Sequence, residues 1–211
     1  KHTRFTTDKH FEFEPSFSAD SKTIVYTTWD DEAKGGISAI NVSEIGKTGS
    51  PLTLEKGFYY EPQMVQNQVF YRKGTGNSVL GYTYGKKPGI YKTDLRGSTE
   101  LISKNGYNIS VSPDGKKLYF QDGGGLSKSY KMMDLEKKET KTIATTKYGD
   151  NFSISPDGNW LAFTELFQAY IVAFPQTGQT LDLSADTKAV PVKKLTRDVG
   201  TCLHWAGDSK T

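Results

Sequence analysis

The feature that most restricts how this chain can fold is a repeat. The stretch from Pro15 to Tyr26 (Pro-Ser-Phe-Ser-Ala-Asp-Ser-Lys-Thr-Ile-Val-Tyr) returns between Ile109 and Phe120, and again between Phe152 and Phe163. A cut-off copy runs from Leu203 to Lys210, and a degenerate one, Pro62 to Tyr71, has lost its Pro-Asp-Gly. The turn positions Asp20, Asn67, Asp114, Asp157 and Asp208 are separated by 47, 47, 43 and 51 residues. A period of roughly 40 to 50 residues is that of a four-stranded propeller blade.

The chemistry of one copy explains why it repeats. In Ser112-Pro113-Asp114-Gly115 the proline presets φ, the aspartate bonds the backbone locally, and the glycine accepts the left-handed conformation that closes a bulged hairpin. Strand-length apolar runs flank it, such as Leu118-Tyr119-Phe120 and Ile24-Val25-Tyr26. Third strands follow at residues 36–42, 89–95, 129–135 and 169–174, and fourth strands at 50–54, 99–102, 140–144 and 192–196. No segment carries a helical period. The expected fold is an all-β propeller fragment of about four four-stranded blades plus the first strand of a fifth. Its blades cover about 11–56, 57–104, 105–146 and 147–197, with the fifth starting over 198–211.

Composition narrows the function classes. Twenty-seven basic against 24 acidic residues give +3, too slight a bias for nucleic acid. No window offers the roughly 18–20 apolar residues of a spanning helix, so no membrane insertion is expected. One cysteine, Cys202, leaves no internal disulfide and no thiolate zinc site. The last residues stop where a second strand should begin, so the chain reads as a piece of something longer.

The spacing and the turn motif resemble the TolB-type propeller repeat, which occurs in TolB, in tricorn-like and prolyl-oligopeptidase-like peptidases, and in oligogalacturonate lyases. One segment is more specific. Glu165-Leu166-Phe167-Gln168-Ala169-Tyr170-Ile171-Val172-Ala173-Phe174-Pro175, then Leu181 to Ser184, Lys188 to Gly200 and His204-Trp205, resembles the end of the N-terminal propeller in large extracytoplasmic bacterial amidohydrolase-superfamily proteins. Phe5-Thr6-Thr7 suits the first blade of that group. The resemblance implies a non-catalytic scaffold, substrate-access or interaction module beside a metal-dependent barrel, in the periplasm or outside the cell. The alternatives are a TolB-type protein-binding propeller, or the propeller of a peptidase or polysaccharide lyase. The implied partners are the rest of its own parent chain or another protein, with self-association through open, apolar blade faces.

No residue is assigned to catalysis, cofactor or metal, and a divalent metal such as zinc is expected only in the parent. The three histidines, His2, His10 and His204, lie far apart, and His204 reads as packing beside Trp205 in a strand. No Gly-x-Ser-x-Gly elbow is present. Gly81 to Lys87 lacks the spacing and following helix of a phosphate loop, and Gly123-Gly124-Gly125 reads as a hairpin tip. Asp30-Asp31-Glu32 lacks the ordered spacing of a calcium loop and reads as a solvated loop. The repeated aspartates read as turn residues, and the lysine pairs 86–87, 116–117, 137–138 and 193–194 as scattered solubility charge. Triplets at Asn41, Asn108 and Asn151 match glycosylation acceptors formally, but two of them arise from the repeat pattern inside strands, and they are set aside. The Arg72–Pro88 insertion and the Pro175–Pro191 stretch are candidate binding loops by position alone.

Overall fold

The computed structural model describes residues 2–32, 34–75, 85–174 and 178–209, so most of the Gly81–Lys87 stretch lies outside the described residues. The chain forms two compact units, Lys1–Gly106 and Tyr107–Thr211, each holding two blades. Among the described residues the only helical element is one short 3-10 turn, Val42–Glu44, capped by the Asn41 side chain.

In the first unit, β1 (Phe11–Phe17), β2 (Thr23–Trp29), β3 (Gly36–Asn41) and β4 (Ser50–Pro51) form one antiparallel sheet. The strands β5 (Tyr59–Val65), β6 (Gln68–Lys73), β7 (Gly89–Asp94) and β8 (Thr99–Ser103) form the next. In the second unit, β9 (Tyr107–Val111), β10 (Lys117–Gly124), β11 (Ser127–Asp134) and β12 (Glu139–Thr146) make one blade. The strands β13 (Gly149–Ile154), β14 (Trp160–Glu165), β15 (Gln168–Ala173) and β17 (Val192–Lys194) make the other.

The second strand of every blade carries three consecutive buried residues, such as Val69-Phe70-Tyr71 and Leu118-Tyr119-Phe120. A strand buried on both faces needs apolar groups at odd and even positions alike. In the first unit, Val25, Ile37, Leu52, Tyr59, Met64, Val69 and Tyr71 form the core between the two sheets. In the second, Tyr119, Tyr130, Phe152, Phe163 and Tyr170 form a continuous ring stack with centroid spacings of 6.2, 5.2, 5.7 and 5.4 Å.

The motif turns form as their chemistry dictates. Ser112 Oγ donates to Asp114 Oδ1 (2.6 Å) and accepts from the Lys117 amide (2.9 Å), while Asp114 Oδ1 accepts from the Lys116 amide (3.0 Å). Ser155 with Asp157, and Ser18 with Asp20, repeat this arrangement. The residue closing each turn has positive φ: Gly115 at 68°, Gly158 at 74°, and Ser21 at 57° where glycine is missing. These bonds hold the three carboxyls below their ordinary range, the serine hydroxyl contributing most. The degenerate copy shortens the connection to two residues, with Val65 paired to Gln68 and Gln66 at φ 55°.

Three features depart from the expected pattern. The third blade has a fifth strand, β16 (Leu181–Asp182), lent by the Pro175–Pro191 stretch and paired in parallel with the outer edge of β12. An unpaired strand edge leaves open donors and acceptors, and β16 covers part of this one. Residues 198–209 form no strand ladder and run beside β13 instead. Asn151 Nδ2 donates to the Thr201 carbonyl (3.1 Å), the Trp205 indole to the Ser153 carbonyl (3.1 Å), and the Asp157 backbone amide to Ser209 Oγ (2.9 Å). His204 is therefore exposed and outside any strand. Finally, Ile24, Tyr26 and Ile40, on a blade face expected to be open, are buried, with Phe5 packed against them and Tyr26 donating to Asp8 Oδ2 (2.8 Å). Phe11, Phe13 and Phe17 on β1 remain exposed.

Candidate interaction face

Strand direction places the connections of the second unit at two ends. The Ser-Pro-Asp-Gly turns occupy one. At the other lie the β10–β11 tip, the β12–β13 connection at Lys147-Tyr148, the β14–β15 turn and the segment after β17. Gly149 pairs with Glu165, and Glu165 with Gln168, so Tyr148 and the Leu166-Phe167 turn sit side by side.

This end carries an open cavity of about 410 Å³ lined by Asp122, Leu126, Lys128, Thr146, Lys147 and Asp182, among others. Gly123 (φ 89°) and Gly125 (φ 58°) shape the adjoining hairpin tip, as the glycine run predicts. Two of its four charged wall residues, Asp122 and Lys128, are ion-paired. The Lys131 ammonium bonds Asp122 and holds that carboxyl below its usual range. Lys128 faces Asp150 at 3.7 Å. The Tyr107 phenol is pushed up, mainly by burial and then by Asp150 and Asp122. Behind the cavity, the fully buried Gln121 accepts from Asn108 Nδ2 (2.5 Å) and the Phe152 amide (3.3 Å) and donates to Asp150 Oδ1 (3.3 Å). The cavity wall presents the hydroxyl residues Ser127, Ser129, Thr145 and Thr146 beside charges of both signs.

A set of residues that sequence reasoning missed ties neighbouring blades together. Each first strand has a register shift at a residue with positive φ: Glu14 (49°), Glu61 (55°), Asn108 (50°) and Asn151 (46°). Glu14 Oε2 accepts from the Glu61 amide (2.6 Å) in the first unit, and Asn108 Nδ2 donates to Asn151 Oδ1 (3.3 Å) in the second. Glu61 also accepts from Arg72 Nε at 3.1 Å. The signal was present: each lies four residues before Ser18, Val65, Ser112 or Ser155, and is always Glu or Asn. Asparagine tolerates the left-handed region better than most residues; glutamate here is held by the ladder around it.

The other candidates resolve locally. His10 Nδ1 meets Asp30 Oδ2, and Asp30 Oδ1 also accepts from the Glu32 amide (2.8 Å), so the acidic run builds a turn. Lys34 stands 5.9 Å over the Trp29 ring in the same turn. The lysine pairs fall at separate places: Lys116 pairs with Glu136, whereas Lys193 and Lys194 lie on β17. Cys202 is exposed, at the position that Asn108 and Asn151 hold in their own repeats. Among the described residues no three His, Cys, Asp or Glu groups come together as a ligand set. Among them, too, no helix is long and apolar enough to cross a membrane.

No protein-family profile and no curated protein sequence matches the chain. Solved structures do. TolB from Acinetobacter baumannii superposes with a TM-score of 0.63 at 17% identity, covering 88% of this chain and 43% of that one. An oligogalacturonate lyase from Vibrio parahaemolyticus gives 0.65 at 10% identity, covering 98% and 60%. A prolyl endopeptidase gives 0.54 at 14% identity, covering 92% and 27%. The chain thus spans about half the length of the first of these relatives. The fold is an all-β propeller of the TolB-like type, present here as four blades.

Proposed function

We propose that this chain is a non-catalytic propeller module of a larger, exported amidohydrolase-like protein, serving as scaffold, substrate-access or interaction element. The observation that supports this reading is how the segment carrying the specific resemblance folds. Its described residues form β15 and β17 of one blade, lend β16 to the edge of β12, and end in a tail pinned to β13, with the Trp205 indole on the Ser153 carbonyl. In this reading any metal chemistry is supplied by residues outside these 211. The chain contributes a cavity-bearing face and exposed apolar residues on the first blade such as Phe11 and Phe13, through which copies can also associate.

The test compares the purified chain with the full product of its gene, each loaded with zinc, on amide and ester substrates. Turnover by the longer protein alone supports the reading. Turnover by the isolated chain overturns it, as does a serine-hydrolase or lyase activity in the longer protein. A gene product that only binds a protein partner moves the assignment to a TolB-type binding propeller.

A further inference from the structure

The cavity beside the β10–β11 tip has walls of an uncommon composition. Leu126 is the only large aliphatic residue of its lining, and none is aromatic. Such walls give no stacking platform for a sugar ring or a base, and no apolar trough for an acyl chain. The β14–β15 turn beside Tyr148 holds Leu166 at φ 47° and Phe167 at 66°, both exposed, but neither residue is part of the lining.

The four charged groups of the wall fall into two sets. Asp122 is bonded by Lys131, while Lys128 donates to the Gly149 carbonyl (3.3 Å) and faces Asp150 at 3.7 Å. These two are spent on the fold. The Asp182 carboxylate accepts only a long bond from Thr145 Oγ1 (3.4 Å), and the Lys147 ammonium rests 5.0 Å over the Tyr148 ring. Among the described residues neither Asp182 nor Lys147 has an ion-pair partner, and both are exposed.

Backbone pairing fixes how far apart they stand. Asp182 lies opposite Thr145 in the parallel β12–β16 pairing, and Lys147 follows Thr145 by two residues. Strand rise and interstrand spacing put their two Cα atoms about 8 Å apart. The Tyr148 ring gives the ammonium a resting place away from the carboxylate. With two acids and two lysines the lining has no excess of either sign, so it favours neither a simple anion nor a simple cation. Opposite charges held apart on one wall fit a ligand that carries both.

The spacing also selects the ligand's length. In an α-amino acid the ammonium nitrogen and the carboxylate carbon are about 2.5 Å apart. With a charge-assisted bond of about 2.8 Å at each end, such a molecule spans roughly 8 Å. A dipeptide sets its charges about 3.5 Å further apart. We infer that this cavity binds a free α-amino acid with a small side chain, its ammonium on Asp182 and its carboxylate on Lys147. The Ser127 and Ser129 hydroxyls, on neighbouring β11, serve its remaining hydrogen bonds. This goes beyond the module reading and needs no activity of the parent.

The test is titration of the whole isotope-labelled chain with L-alanine, followed by amide NMR shifts. The amides of Ser129, Thr145 and Lys147 are expected to move. Propionate and ethylamine, which each lack one of the two charges, are expected to bind about tenfold more weakly. Alanylalanine is expected to bind more weakly than alanine. D182N is expected to lower alanine affinity about tenfold without weakening propionate, and K147Q to do so without weakening ethylamine. A merely structural role for either residue would weaken every probe alike, and circular dichroism confirms that both variants are folded. Alanine that moves none of these amides up to about 0.1 M overturns the inference. So does propionate or ethylamine binding as tightly as alanine, tighter binding of alanylalanine, or unchanged alanine affinity in folded D182N or K147Q.

Discussion

Replacing Leu166-Phe167 by Asn-Gly should stabilise the protein even though it deletes two large hydrophobic side chains. Holding a non-glycine residue in the left-handed region costs about 1–2 kcal/mol, so the two positions store about 2–4 kcal/mol. Only about a third of each side chain is buried, so truncation loses about 0.5–1 kcal/mol apiece out of the 1.5–3 kcal/mol of full burial. A glycine adds about 0.5–1 kcal/mol of unfolded-chain entropy. The balance is a gain of about 1 kcal/mol. The supporting bonds survive, because Gly200 bonds the Phe167 backbone carbonyl and Thr196 bonds the Gln168 side chain. Urea unfolding followed by circular dichroism should show the midpoint rising with the slope m unchanged. A lower midpoint would mean that the turn is relaxed and the side chains hold the fold, which refutes the strain argument.

Other parts of the second unit give equally definite expectations. Phe163→Ala removes the fully buried fourth ring of the stack and should cost about 3–5 kcal/mol in urea unfolding; a loss below about 1 kcal/mol would show that the stack collapses to fill the gap. Gln121→Leu keeps the volume but strips partners from Asn108, Asp150 and the Phe152 amide, so a loss of about 1–3 kcal/mol is expected, and a neutral result contradicts the network. Asp20, Asp114 and Asp157 have depressed folded-state pKa values, so their turns add stability above the ordinary value near 3.8 that is lost as pH falls through the folded values. Ser155→Ala should return the Asp157 pKa toward 3.8 in a carboxyl-resolved NMR titration; an unmoved pKa would remove the serine hydroxyl as its main cause.

The blade order, the third and fourth strands and the motif turns were legible because each is decided within a few residues. Ser112, Asp114 and Gly115 carry their own hydrogen bonds and φ, and these hold in any blade. The face of the second unit was not legible. Leu166 and Phe167 fall between the expected second and third strands, and only the Glu165–Gln168 pairing makes them the two-residue tip of a hairpin. The bulge residues were visible as a column of Glu and Asn but carried no meaning until Asn108 met Asn151 across 43 positions.

Sequence alone determined the period, the all-β class and the chemistry of the turns, since alternation, proline, aspartate and glycine act through local backbone geometry. Tertiary structure alone decided where the long-range groups went. It sent Leu181-Asp182 to the edge of β12, laid the tail along β13, and held Leu166-Phe167 in a conformation both residues disfavour. The reason is physical: ladder register and edge pairing are collective, and their summed hydrogen bonds outweigh the preference of any single residue.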